Sequence, residues 1–153
     1  MPGTTRVVPA SSITLHKKPL MVNANELRLG NYILCKTGVR ILPTPVGFQH
    51  FELLAKGLAK EMFAMPLKPE LLIKIGFIEN KEYYQLPDGK EFILALPVIG
   101  NNANQIRAYV NSKEVCYARA ILNEMVISNN IHQLHQLQNL YYALTGTEMD
   151  NKF

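Results

Sequence analysis

The stretch IHQLHQLQNLYYALTG, residues 131–146, reads as an amphipathic helix. At about 100° per residue, Leu134, Leu137, Leu140, Tyr141 and Leu144 fall within an arc of roughly 120°. Asn130 is a good N-cap, Gln133 three residues on completes a capping-box-like pair, and Gly146 suits the left-handed stop. His135, Asn139 and Tyr142 fall on the opposite side. That side is either solvated or covered by a partner, so the three are candidate partner contacts.

Upstream, the pattern switches to β. Tyr32–Lys36 and Val39–Leu42 read as short strands around Thr37-Gly38, after a tight turn at Gly30-Asn31. Two hairpins follow. KEYYQLPDGKEFILAL turns at Pro87-Asp88-Gly89, and QIRAYVNSKEVCYARAIL turns at Asn111-Ser112. Between strands and hairpins lie two helical patterns. VGFQHFELLAKGLAKEMF spaces Phe48, Phe51, Leu54, Leu58 and Met62 at helical intervals, weakened by Gly57. LKPELLIKIGF has Pro69 in a first turn, Glu70 against the dipole and Gly76 at the stop. The expected fold is α+β: a small antiparallel sheet of hairpins with a C-terminal amphipathic helix packed on it. The N-terminal strands are compatible with an SH3-like start. Residues 21–153 are expected to form one domain.

Residues 1–20, MPGTTRVVPASSITLHKKPL, are a different regime, proline-rich and without period. They read as an extended arm. Arg6, Lys17 and Lys18 make the arm basic and are candidate partner contacts. The whole chain has 16 basic and 12 acidic residues, so the remainder carries 13 against 12. That near-neutrality argues against a dedicated duplex-binding domain, which needs a concentrated basic face. With 48% hydrophobic and 18% charged residues, the chain has material for a core. No stretch approaches a membrane span, and no signal-peptide layout opens the chain, so no membrane partner and synthesis in the cytoplasm are expected.

No catalytic or metal-binding signature stands out, and neither cofactor nor metal is expected. His132 and His135 are spaced i, i+3 but lack a third ligand. Cys35 and Cys116 sit among apolar strand neighbours and read as buried small hydrophobes, not nucleophiles. Gly100-Asn101-Asn102 lacks the spacing and lysine of a phosphate loop. The tyrosines are more informative. Tyr109 and Tyr117, with Arg107 and Arg119, lie on adjacent predicted strands. They are a candidate nucleic-acid contact by ring stacking, weighed against ordinary cross-strand packing.

Three stretches carry a resemblance. NANELRLGN (Asn23–Asn31), MPLKPELLIKIGF (Met65–Phe77) and HQLQNLYYALTGTE (His135–Glu148), in that order, resemble small uncharacterised proteins of Bacteroidota and their phages, including crAss-like phages. They cover about a quarter of the chain, and the last is the most specific. The resemblance implies a phage or mobile-element origin. It carries no activity over to any residue, and the chain departs from the pattern in its arm and over Val46–Phe63.

The expectation is a non-enzymatic phage protein working by contact with other protein chains, its own copies or virion proteins, as a minor virion component. It would be made in the host cytoplasm. The alternative is a nucleic-acid- or nucleotide-binding module, such as a regulator or a sponge for a defence signal.

Overall fold

The computed structural model describes residues 20–58, 61–83, 89–97, 104–111 and 116–150. The fold is α+β, with two antiparallel sheets and three α-helices among these residues. The chain divides into two compact units, residues 1–65 and 66–153.

In the first unit, a turn closed by the Asn31 amide on the Arg28 carbonyl leads into β1 (Tyr32–Thr37). Gly30 sits in it at φ +87°, the left-handed position that glycine fills without cost. β1 pairs with β2 (Arg40–Pro45) through a two-residue loop, Thr37 opposite Arg40. Gly38 holds the first loop position at φ +64°, as a primed hairpin turn requires. A Cβ there meets nothing within 4 Å, so the cost of Gly38→Ala is purely conformational. It is expected to be about 1–2 kcal/mol by urea denaturation. A neutral result would mean that the turn relaxes.

Pro43 and Pro45 place β2 at the sheet edge, where a missing N–H is tolerated. On the other side β1 pairs with β3 (Met62–Phe63), giving the order β2-β1-β3. The helical pattern after Val46 runs shorter than its apolar spacing. α1 covers only Phe48–Ala55. Gly57, at φ +68°, and Leu58 donate back to Leu54 and Leu53, the Schellman arrangement that ends a helix. Met62 therefore lies on a strand, and Phe48 is 77% exposed. The core of this unit gathers Val22, Leu27, Ile33, Val46, Met62 and Ala64.

In the second unit, α2 (Pro69–Lys74) starts on its proline. It ends on a second Schellman pair, Gly76 to Ile73 and Phe77 to Leu72. Then β4 (Ile78–Glu79), β5 (Lys90–Ala95), β6 (Gln105–Val110), β7 (Cys116–Leu122) and β8 (Met125–Val126) form a meander in that order. β5 pairs with β4, Glu79 opposite Phe92, whereas the hairpin strand expected just before Pro87 falls on residues 84–86. Residues 84–88, including that turn, lie outside the described residues, as does most of the β6–β7 turn. A further hairpin has no glycine to announce it. Leu122 faces Met125 across Asn123 and Glu124, both at positive φ.

Burial alternates strictly along β6, with Ile106, Ala108 and Val110 in and Gln105, Arg107 and Tyr109 out. The buried register row Phe92–Ala108–Ala118 sets one large ring beside two small residues. After β8 the chain follows β7: Ile131 and Ala118 exchange backbone bonds, and Leu67 donates to the His132 carbonyl. Those bonds hold Ile131 extended. α3 therefore spans Leu134–Thr145 with Gln133 as its N-cap, and Asn130 does not cap it.

Leu134 and Leu137 are fully buried, but so are His135 and Gln138, while Leu140, Tyr141 and Leu144 are only half-buried. The buried face is thus rotated away from the leucine arc. His135, expected on an outward face, is inside; Asn139 is half-buried, and Tyr142 alone of the three is exposed.

Candidate functional site: a tyrosine and arginine face

The outward face of the five-stranded sheet collects the four residues proposed for base stacking. Tyr109 and Tyr117 are register partners on β6 and β7, and so are Arg107 and Arg119. Register partners share a face, two residues apart along each strand. The rings of Tyr109 and Tyr117 lie 5.3 Å apart between centroids and are tilted by 34°.

Two residues extend this pair into a row across the sheet. Tyr83, after β4, places its ring 5.9 Å from that of Tyr109. His132, on the segment flanking β7, places its ring 6.2 Å from that of Tyr117. The His132 Nδ1 lies 3.3 Å from the Cys116 carbonyl oxygen, which fixes the ring beside the row.

Beside the rings sits a charged layer. The Arg119 guanidinium carbon is 5.1 Å from the Tyr109 centroid, a cation–π distance. Arg107 Nε donates to Gln105 Oε1 at 3.0 Å. Among the described residues neither guanidinium forms an ion pair, and the Arg119 Nε is buried with no hydrogen-bond partner. Glu91, on β5 opposite Tyr109, is 5% exposed and accepts from Asn80 Nδ2 at 2.9 Å. Burial raises the Tyr109 phenol above its ordinary value, Arg119 opposes the shift and the Glu91 carboxylate adds to it. The hydroxyl stays a donor at neutral pH.

These residues line a half-open hollow of about 660 Å³, within the range of ligand sites. Glu82 and Glu124 stand at its rim. Glu124 is held at φ +65°, a left-handed backbone that a non-glycine residue adopts under strain. Glu124→Gly is expected to stabilise the protein by about 1 kcal/mol in thermal or chemical melts. A loss would show that the Glu124 side chain itself supports the turn.

The sequence pointed to four of these residues. Glu91 and Asn80 escaped it because a strand glutamate facing outward reads as solvated. Its burial comes from neighbours on other strands.

Other candidates separate. Arg6, Lys17 and Lys18 lie outside the described residues. His132 precedes α3 and is exposed while His135 is buried within it, so they do not share a helix face. Among the described residues no three His, Cys, Asp or Glu side chains gather as metal ligands would. His50 accepts from the Gly47 amide at 2.9 Å, a helix-start contact.

Burial pushes the Cys35 thiol up, with a Thr44 hydrogen bond opposing. Burial, then the Glu70 carboxylate, push the Cys116 thiol up to about 12. A thiol so protonated is a poor nucleophile. Iodoacetamide at pH 8 is expected to label Cys116 only in unfolded protein. Labelling of the folded chain, read by peptide mass spectrometry, would contradict this. The folded value lies above the ordinary 9.0. The folded state therefore keeps a proton that the unfolded chain loses, and this thiol's share of stability is whole below pH 9 and falls as pH rises towards 12.

No helix among the described residues is long and apolar enough to cross a membrane. No protein-family model, curated protein or solved structure matches the chain.

Proposed function

We propose that this chain is a non-enzymatic, phage-encoded protein that acts by protein–protein contact as a minor virion component, and that it makes contact through the tyrosine and arginine face. One observation carries the reading: Tyr109, Tyr117, Arg107 and Arg119 stand side by side on one accessible sheet face. Tyrosine and arginine are enriched among interface hot spots, where they bring large contact area and hydrogen bonds. The surrounding charge supports a protein partner over a polyanion. Two arginines meet three carboxylates, Glu82, Glu91 and Glu124, in the hollow, so its lining carries a net charge of −1. A phosphate backbone would be repelled there.

Mass spectrometry of purified particles tests the virion assignment. The chain is expected among the particle proteins. Its absence, together with a monomer on sizing, would remove it.

The second reading is a nucleotide or nucleic-acid binder. It is favoured by the ring row, whose spacings of 5.3 to 6.2 Å suit stacking. It requires salt-dependent binding to DNA or RNA, or a thermal shift with nucleotides. A flat response across such a panel would dismiss it.

A further inference from the structure

Arg107 and Arg119 face each other on neighbouring strands. Like charges directly opposite destabilise a sheet. A carboxylate between the two would offset the repulsion, and three carboxylates line this hollow. Yet neither guanidinium is paired with one among the described residues. Glu91 is engaged by Asn80 instead. Arg119 also keeps a buried Nε–H with no acceptor. An orphaned buried donor is costly, so Arg119 is held there at the expense of stability, while both arginines line the hollow where an anion can reach them.

We propose that Arg107 and Arg119 together clamp one carboxylate of a partner polypeptide, an aspartate or glutamate side chain, while the partner's adjoining residue lies on the rings of Tyr109 and Tyr117. The proposal rests on the contact reading above and names the chemistry of the partner. A planar carboxylate matches the guanidinium fork and accepts from two donors at once. It brings a single charge to the point where the two positive charges meet. A chain of phosphates would extend past the arginines onto Glu82, Glu91 and Glu124. The cation–π contact with Tyr109 holds Arg119 in place before the ligand arrives, which reduces the ordering required on binding.

The test uses the full chain, labelled with ¹⁵N, and follows the arginine Nε–H resonances. Four probes are titrated: the blocked tripeptide acetyl-Ala-Glu-Tyr-amide, its glutamine counterpart, inorganic phosphate and adenosine monophosphate. The glutamate peptide is expected to shift the Arg119 Nε–H saturably. The glutamine peptide should bind roughly tenfold weaker or worse, as loss of a charge-assisted pair implies. R107Q and R119Q should each weaken the glutamate peptide by about the same factor. Equal binding of the two peptides overturns the clamp. So does a stronger response to phosphate or the nucleotide, or no response to any probe. If the clamp fails while a crosslinker at position 117 still captures a protein, the contact reading stands without it. If that crosslinker captures nucleic acid, the contact reading itself falls.

Discussion

Phe92→Ala is expected to destabilise the second unit by about 3–5 kcal/mol. Phe92 is 2% exposed and faces Ala108 across the β5–β6 ladder, with Ala118 next in the row. The two alanines make space for the ring and cannot fill it once the ring is gone. The cost therefore has two parts, the lost transfer free energy and the cavity left behind. Domains of this size are stable by about 5–15 kcal/mol in total, so the variant should lose a large share of its urea midpoint. Phe92→Leu, which leaves a smaller void, should cost clearly less. A change below about 1 kcal/mol for Phe92→Ala would mean the sheet's inner face repacks freely, and the buried row would not be the core it is taken to be.

Arg119→Met is expected to move stability and binding in opposite directions. It removes one of two like charges that face each other on β6 and β7 and a buried Nε–H without an acceptor. It also gives up the cation–π contact with Tyr109. The orphaned donor is worth about 1–3 kcal/mol and the cation–π contact about 0.5–1 kcal/mol. The balance is a gain of about 1 kcal/mol, since the methionine keeps the apolar stem. Affinity for the glutamate tripeptide should drop at the same time by roughly tenfold or more. A residue present for folding shows the reverse: its removal costs stability. Melting curves and peptide titrations on the same preparation separate the two cases. A loss of stability above about 1 kcal/mol would make Arg119 a structural residue.

The α+β class was legible because local signals agreed with the fold. Pro69 and Gly76 bracket α2 as written, and Gly146 ends α3 at φ +73°. Where the sequence misled, a tertiary contact had overruled a local preference. Asn130 is a good cap in isolation, but the backbone bonds between Ile131 and Ala118 keep that segment extended past it. The leucine arc of α3 located the helix and missed its orientation. Periodicity ranks apolar residues, and it cannot show that His135 and Gln138 are buried beside Leu134 and Leu137. The hairpin at Asn123-Glu124 was missed because glutamate is the wrong residue for a left-handed turn position. The misfit falls at the rim of the candidate site, where local rules are most often broken.

The binding face was half legible. Alternation put Tyr109, Arg107, Tyr117 and Arg119 on strands, and the β6–β7 register then joined them on one face. Sequence did not reveal that Tyr83 and His132 would lengthen the row, since both lie outside regular strands.

If this face is the working surface, as proposed, a photo-crosslinking residue in place of Tyr117 reports on it most directly. Irradiated in cells that express it, the full chain is expected to yield one discrete polypeptide adduct. That adduct should vanish when Arg107→Glu and Arg119→Glu are added and the chain still melts as a folded protein. An adduct that persists unchanged in the double variant, or one that proves to be nucleic acid, would contradict the claim.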